Sequence, residues 1–408
     1  MCPEKGLPPR VGNLGGVMRA SFPPSERRTL LGLSGVLAAR LLGFSLVLPM
    51  FSTYATETLH ATRMQAGVAF GIYGLSQAML QIPFGTWSDR FGRKRMVQIG
   101  LLVFIIGSAI SATASDIVGL TVGYFLQGAS AISSPILAWV TDSIDVSRRN
   151  TGMAVIGMSI GAAIVFGLPL SPVVARAFGG AAVFWVCGAL SALALAIVTF
   201  GVHDPGTTPE TPRPPESPGW GALLRDREMM TLNAAGFLVY FAMRAVYFVT
   251  PAAMKAMNVN QGRLFMVVGL LGASLMGMGS RQSDKGRARI SVMASFSLTL
   301  AGYLMMGFVA GWTGTVVGYG VWFVGFCVLQ ALLPGAVSKL APAEARGATL
   351  GLFNTCQYVG TAFGGPAGGG LDAQALYGLL AGLTALVIWA ASGMRRVDET
   401  RIAQRGAP

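Results

Sequence analysis

The sequence predicts an all-α polytopic membrane protein: twelve transmembrane helices arranged as two six-helix bundles. Three observations predict it. The 408 residues are 53% hydrophobic and only 12% charged, with a mean hydropathy of +0.59, whereas a soluble domain carries about 25% charged residues. The apolar residues fall into runs of about 20, the length that crosses a bilayer as a helix. The basic residues gather in every second break between those runs, as the positive-inside rule requires.

The runs follow one another with short polar breaks, and their bounds are read to within about three residues. An N-terminal tail, 1–29, precedes the first run, 30–54. Glu26-Arg27-Arg28-Thr29-Leu30-Leu31 is similar to a twin-arginine signal. The apolar stretch after it is too long for a signal peptide, and no small-residue cleavage site follows, so it reads as an anchor before the first helix. Runs at 65–87, 96–115, 117–141, 151–174 and 181–202 complete a first half, 30–202. Segment 203–229 is the one long internal break; Pro205, Pro209, Pro212, Pro214, Pro215 and Pro218 make it an extended linker. Trp220 to Glu228 reads as a short interfacial helix. The second half, 230–394, holds runs at 230–253, 264–280, 290–310, 315–338, 348–370 and 376–394, and a tail, 395–408, follows.

The basic residues test this map. The two tails and the even-numbered breaks hold 24 of the 30 Lys and Arg, including Arg93, Lys94, Arg95, Arg148, Arg225, Arg287 and Arg395. The odd-numbered breaks hold Arg63, Arg176, Lys255 and Arg263, while Arg40 and Arg244 fall inside runs. The split places both termini in the cytoplasm. A missed helix would scramble the signs beyond it.

The two halves echo each other. Gly85 to Arg95 reads GTWSDRFGRKR and Gly279 to Arg289 reads GSRQSDKGRAR, with Gly92 and Gly286 separated by 194 residues. Pro135 and Pro334 are 199 apart, and Arg149 and Arg346, each just before a run, are 197 apart. A nearly constant offset marks a parallel duplication about an axis along the membrane normal.

Composition also excludes functions. The net charge of +13 does not mark a nucleic-acid binder, because the charges sit in short breaks instead of forming one basic face. Cys2, Cys187, Cys327 and Cys356 show no metal or redox spacing. His60 and His203 are the only histidines and both fall in breaks. No metal site, cofactor or catalytic residue is expected, and no nucleophile, base and orienter stand at a spacing that supports an enzyme.

The break after the second run is Gly85-Thr86-Trp87-Ser88-Asp89-Arg90-Phe91-Gly92-Arg93-Lys94-Arg95. It resembles motif A of the major facilitator superfamily, G-x-x-x-D-R-x-G-R-K-x, at every fixed position. Gly85 and Gly92 allow a tight turn between close-packed helices. Asp89 suits a helix N-terminus, where the dipole favours an anion, and Arg93 is placed to pair with Asp142 at the end of the fourth run. The resemblance implies that Gly85, Asp89, Arg90, Gly92, Arg93, Lys94 and Asp142 form a cytoplasmic latch that holds the outward-open state and breaks on switching. Leu42-Gly43-x5-Pro49 is similar to the family's first-helix motif, and Gly157, Gly161, Gly167 and Pro169 resemble its antiporter motif in degraded form. Phe125-Leu126-Gln127-Gly128 resembles motif B, with Tyr124 where that motif has arginine. Arg40-Leu41-Leu42-Gly43, Gly71 to Gln77, Leu80 to Gly85 and Gly351 to Tyr358 look most like the YajR-like branch of the drug:proton antiporters, over about 30–394. That branch carries an extra C-terminal domain. This chain stops 14 residues after its last run and reads as a relative without it.

The resemblance implies a central cavity between the halves that opens to each side in turn. Polar residues at helical spacing are its candidates: Tyr73, Gln77, Tyr124, Gln127, Tyr240, Gln330, Asn354 and Gln357, with Tyr247, Tyr319, Phe323 and Phe326 on the same stripes. In lipid an amide needs a partner, so these faces point inward, either as substrate contacts or as helix–helix glue. Arg40 and Arg244 stand in the middle of the first and seventh runs. An arginine there costs about 2.5–3.5 kcal/mol on insertion scales and marks a pathway or a paired structural site. Facilitators of organic phosphates hold their anion with a similar pair, which suits a guanidinium fork.

No Asp or Glu stands in the middle of a run, and Tyr124 replaces the motif B arginine, so the family's usual proton-coupling residues are not supplied. The resemblance implies a monomeric secondary transporter of the bacterial cytoplasmic membrane, moving a small organic solute by alternating access with a proton or counter-ion. Efflux of a drug-like or amphiphilic compound follows from the family; organic-anion transport follows from Arg40 and Arg244. A non-transporting sensor on the same fold is a third reading, against which the complete motif A argues.

Overall fold

The computed structural model describes residues 22–145, 148–202, 225–282, 287–341, 346–394 and 396. Most of the N-terminal tail, linker residues 203–224 with most of the expected interfacial helix, and nearly all of the C-terminal tail lie outside these. In chain order the described helices are α1 (Pro24–Val47), α2 (Arg63–Phe91), α3 (Arg93–Thr113), α4 (Ile117–Ser143), α5 (Arg149–Phe178), α6 (Gly180–Gly201), α7 (Arg227–Ala256), α8 (Gln261–Gln282), α9 (Ala288–Phe308), α10 (Thr313–Leu340), α11 (Arg346–Gly370) and α12 (Ala373–Ser392). Among the described residues, nine helices are long and apolar enough to cross a membrane. The more polar α2 and α11 pack against each other, and α8 has a shorter apolar stretch, Gln261–Met276.

Local chemistry sets the helix ends. Thr62 and Gln65 form a reciprocal capping box at the start of α2. Asp116, Asp226 and Asp372 accept backbone N–H bonds at the starts of α4, α7 and α12. These caps account for several of the few carboxylates in the chain. Gly92 links α2 to α3 at φ +93°, a conformation that side-chain-bearing residues rarely adopt.

Two runs that read as continuous are interrupted. α1 stops at Val47, and the chain resumes as Phe51–Thr53 and a π turn, Tyr54–Thr58. Pro49 lacks an N–H and its ring collides with the carbonyl one turn back. α4 breaks at Ser130–Ile132, between helical segments Ile117–Ala129 and Ser133–Ser143. Pro135 has the same effect there.

The duplication is visible in the packing. α1 packs on α5 and α6, α2 on α4, and α3 on α4 and α6. The second bundle repeats each pairing: α7 on α11 and α12, α8 on α10, and α9 on α10 and α12. The bundles meet along two equivalent seams, α2 with α11 and α5 with α8.

Both seams lie away from the basic end, the end that carries Arg93, Arg148 and Arg227. A Cβ added at Gly67 or Gly71 would come within 2.5 Å of the Gly365 or 2.1 Å of the Ala362 carbonyl oxygen. On the second seam Gly262 meets Pro169 and Pro172, and Gly269 meets Val165. Toward the basic end the same stripes run out of contact. Gly161, one turn from Val165, and Gly351, on α11, have open space around them. The close glycine contacts between the bundles thus lie toward the far end.

Candidate functional site

At the basic end, Arg93 is the hub. It opens α3, and its Nε lies 3.1 Å from Oδ2 of Asp142, in the last turn of α4. It also forms an ion pair with Asp89 and donates from Nη1 to Ser88 Oγ at 2.7 Å. Asp89 stands in the last turn of α2, just ahead of the N-terminus of α3, so its partner is the Arg93 side chain across the Gly92 turn. Lys94 caps the end of α6, donating to the Thr199 and Val202 carbonyls at 3.0 and 2.9 Å, where the helix dipole favours a cation. Arg90 is exposed. Gly85 faces α4, where a Cβ would lie 3.0 Å from Ser134 Oγ. All these contacts stay within the first bundle.

Arg40 is 1% exposed and serves the break in α4. The Ser130 carbonyl, turned out of the helical ladder, accepts from Arg40 Nη2 at 2.9 Å and from Ile132 N–H at 2.7 Å. Ser130 Oγ lies 3.4 Å from Arg40 Nε, and the guanidinium stands over the Phe104 ring. Gln127, one turn earlier in α4, donates to Ser111 Oγ on α3 at 3.5 Å. Arg40 and Gln127 are thus held by first-bundle partners.

Arg244 is different. It is 0% exposed and reaches from α7 into the other bundle. Its Cζ lies 4.3 Å from the Phe70 ring centroid, 5.0 Å from Phe44, 5.2 Å from Tyr73 and 5.7 Å from Tyr124. Each ring is within the range of cation–π attraction, about 0.5–2 kcal/mol depending on desolvation. Nη1 donates to the Tyr124 hydroxyl at 3.0 Å. Nε and Nη2 have no hydrogen-bond partner among the described residues. Such a buried charge without a carboxylate is rare.

The remaining cavity candidates separate. Tyr240 shares a hydrogen bond with Gln330, joining α7 to α10. Gln77 and Gln357 are buried, Asn354 is half-buried, and Gln77 Oε1 has no partner among the described residues. Tyr247 and Tyr319, expected on the cavity stripes, instead pack in the second bundle's aromatic core. Their hydroxyls are 3.0 Å apart, and Trp322 Nε1 donates to Tyr303 at 2.8 Å beside them. Phe323 and Phe326 stack into the same core. Aromatic packing won there over polar alignment, because each hydroxyl finds its partner inside the bundle.

The far end is tied across the bundles by a Glu57–Lys255 ion pair and by Arg63 Nη2, which donates to the Gly368 and Leu371 carbonyls at 3.3 and 3.4 Å. A cavity of about 610 Å³ opens there between the segment after α1, the end of α5 and the α7–α8 turn, lined by Tyr54, Ser171, Arg176 and Lys255 among others. None of the sequence-predicted cavity residues lines it.

Several contributors escaped sequence reasoning. Phe44 and Phe70 are two of 22 phenylalanines, with nothing in the chain to distinguish them. Ser130 acquires its role only from the break. The seam glycines did carry a signal: Gly67-x3-Gly71-x2-Gly74 and Gly365-x3-Gly369 are small residues at helix-packing spacing.

A family model described as Major Facilitator Superfamily matches residues 33–365 and 260–405. The inner membrane transport protein YajR of Escherichia coli (strain K12) is 30% identical over 378 residues, 90% of this chain and 82% of that protein. Multidrug resistance protein 2 of Bacillus subtilis (strain 168) is 27% identical over 153 residues, 37% of this chain and 38% of that protein. Among solved structures, a bacterial homologue of the human lysosomal transporter Spinster, inward-facing and unoccupied, superposes with a TM-score of 0.71 at 12% identity, covering 95% of this chain and all of that one.

Proposed function

The chain belongs to the Major Facilitator Superfamily and is a multi-pass membrane transporter of a small-molecule substrate, and on that premise we propose that it exports a drug-like or amphiphilic compound from a bacterial cytoplasm by alternating access. The proposal takes the basic end as cytoplasmic, with both termini there, in the inner membrane. The state described is then inward-open.

The observation that carries this reading is the asymmetry of the seams. Two bundles, glycine-packed toward one end and with open space along the same stripes toward the other, fit one half of a rocking cycle. Likeness to the E. coli inner membrane transport protein supports transport across that membrane, and likeness to the Bacillus multidrug resistance protein supports export of drug-like compounds. The Arg93 cluster is proposed as the latch of the opposite state, consistent with its lying wholly in one bundle while the close glycine contacts lie toward the far end.

Organic-anion transport through Arg40 and Arg244 is the second reading. The free Nε and Nη2 of Arg244 favour it; the commitment of Arg40 to Ser130 weighs against a paired arginine fork.

The test is ligand-induced thermal stabilisation of the purified protein, since a ligand of the folded state adds RT ln(1 + [L]/Kd). Organic phosphates and carboxylates are screened against lipophilic cations and neutral drugs. Export of amphiphiles predicts stabilisation by lipophilic compounds that survives Arg40→Ala in relative terms. Stabilisation by anions alone, lost in Arg244→Ala, would replace it with the anion reading.

A further inference from the structure

The four rings around Arg244 belong to one bundle, and the guanidinium to the other. Phe44 comes from α1, Phe70 and Tyr73 from α2, and Tyr124 from α4. The rings brace one another: Phe44–Tyr73 and Tyr73–Tyr124 centroids are each 5.2 Å apart, and Phe51 lies 4.8 Å from both Phe70 and Tyr124. A rigid-body movement of the second bundle therefore withdraws Arg244 and leaves the box standing.

The box is a cation site by its chemistry. Aromatic faces carry the negative lobe of the ring quadrupole, and cages of this kind recognise quaternary ammonium groups. The carboxylates on its three helices, Glu26, Asp89 and Asp142, all stand in end turns at the basic end. Arg244 fills the box without using it fully as a hydrogen-bonding site: among the described residues only Nη1 has an acceptor, the Tyr124 hydroxyl. What holds the guanidinium is largely its charge against the rings, which any organic cation of similar size offers.

We propose that the Phe44–Phe70–Tyr73–Tyr124 box is a binding site for quaternary or lipophilic organic cations, and that Arg244 is its tethered occupant while the far end is closed. Parting of the far end vacates the box to cations on that side, and closure returns the guanidinium and displaces whatever cation has entered, a step that runs opposite to the export proposed above and is independent of it. Arg244 thereby acts as a competitor built into the chain. The displacement step rests on the alternating-access reading, but the binding site does not.

The test is equilibrium binding of phenyltrimethylammonium to the purified full-length protein by titration calorimetry. The wild type binds weakly. Arg244→Ala binds at least tenfold more tightly, and Arg244→Lys, which keeps a tethered cation, stays weak. Phe70→Leu added to Arg244→Ala abolishes the gain. If Arg244→Ala does not fold, Gly71→Ala with Arg244 intact provides the same readout, because parting the far seam frees the box and tightens binding. Equal affinity in wild type and the variant that folds would overturn the proposal, as would a gain that survives Phe70→Leu. Binding of benzoate by the wild type that is lost in Arg244→Ala would make Arg244 an anion ligand and overturn it also. Failure of transport alone, with these binding results intact, would count against alternating access and not against the site.

Discussion

Replacing Gly71 by alanine isolates the far-end seam. The added methyl would lie 2.1 Å from the Ala362 carbonyl oxygen, 2.9 Å from Pro366 Cδ and 3.1 Å from the Ala362 carbonyl carbon. Two of these are backbone atoms of α11, which no side-chain rotation moves aside. Alanine in place of glycine favours α2 itself by about 1 kcal/mol, so the helix and the first bundle keep their structure. The penalty falls on the closed seam, where overpacking costs typically about 1–3 kcal/mol. A state in which α2 and α11 part at the far end escapes it. The equilibrium between the two then shifts by about 5- to 160-fold, using RT of about 0.59 kcal/mol. The assay is pulsed electron spin resonance between nitroxides on Glu57→Cys and Lys255→Cys, in a background without the native cysteines. The wild type gives one short distance across the far end; Gly71→Ala adds a longer population. Gly382→Ala, on a face of α12 with nothing within 4 Å, leaves the distribution unchanged. A folded Gly71→Ala protein with the wild-type distribution would refute the claim that this seam is a closure the molecule opens.

Two further outcomes follow from the site geometry. Arg93→Ala removes pairs to Asp142 and Asp89 that are partly solvent-exposed and together stabilise by about 1 kcal/mol at most. Thermal unfolding moves little and membrane insertion is unchanged, yet uptake into everted vesicles falls several-fold; unchanged uptake would remove the latch role. Arg40→Met leaves the Ser130 carbonyl without its charged donor and costs about 1.5–3 kcal/mol, seen as a lower unfolding temperature with binding of anionic and neutral ligands reduced alike. A selective loss of anion binding at unchanged stability would return Arg40 to the ligand.

Much of this was legible in the sequence, for identifiable reasons. Helices that face lipid must be apolar for their full length, so their number and order can be read from hydropathy, and the duplication fixed which helices correspond. Arg93 and Asp142 were paired in advance because motif A fixes the one and the end of the fourth run fixes the other. Arg40 and Arg244 stood out equally as charges in apolar runs, but hydropathy carries no information on their partners. Ser130 became an acceptor for Arg40 only because Pro135 breaks α4. Arg244 found an aromatic box whose members come from three helices of the opposite bundle, a placement set by how two rigid bodies meet. The Tyr247–Tyr319 pair is hidden for a related reason: a tyrosine on an amphipathic face reads alike as cavity lining or as helix–helix glue, and only the fold brings the second hydroxyl to it.

The most direct test of transport by rocking bundles is to clamp the far end. Cysteines at positions 57 and 255, whose native side chains form the Glu57–Lys255 pair across the bundles, are joined by a short bismaleimide in a background without the native cysteines. Transport is then followed in everted vesicles with the compound that stabilises the protein most. Alternating access predicts that cross-linked protein still binds the compound but no longer moves it, while the same cysteines capped singly with N-ethylmaleimide transport normally. Undiminished transport with the far end covalently closed would contradict it.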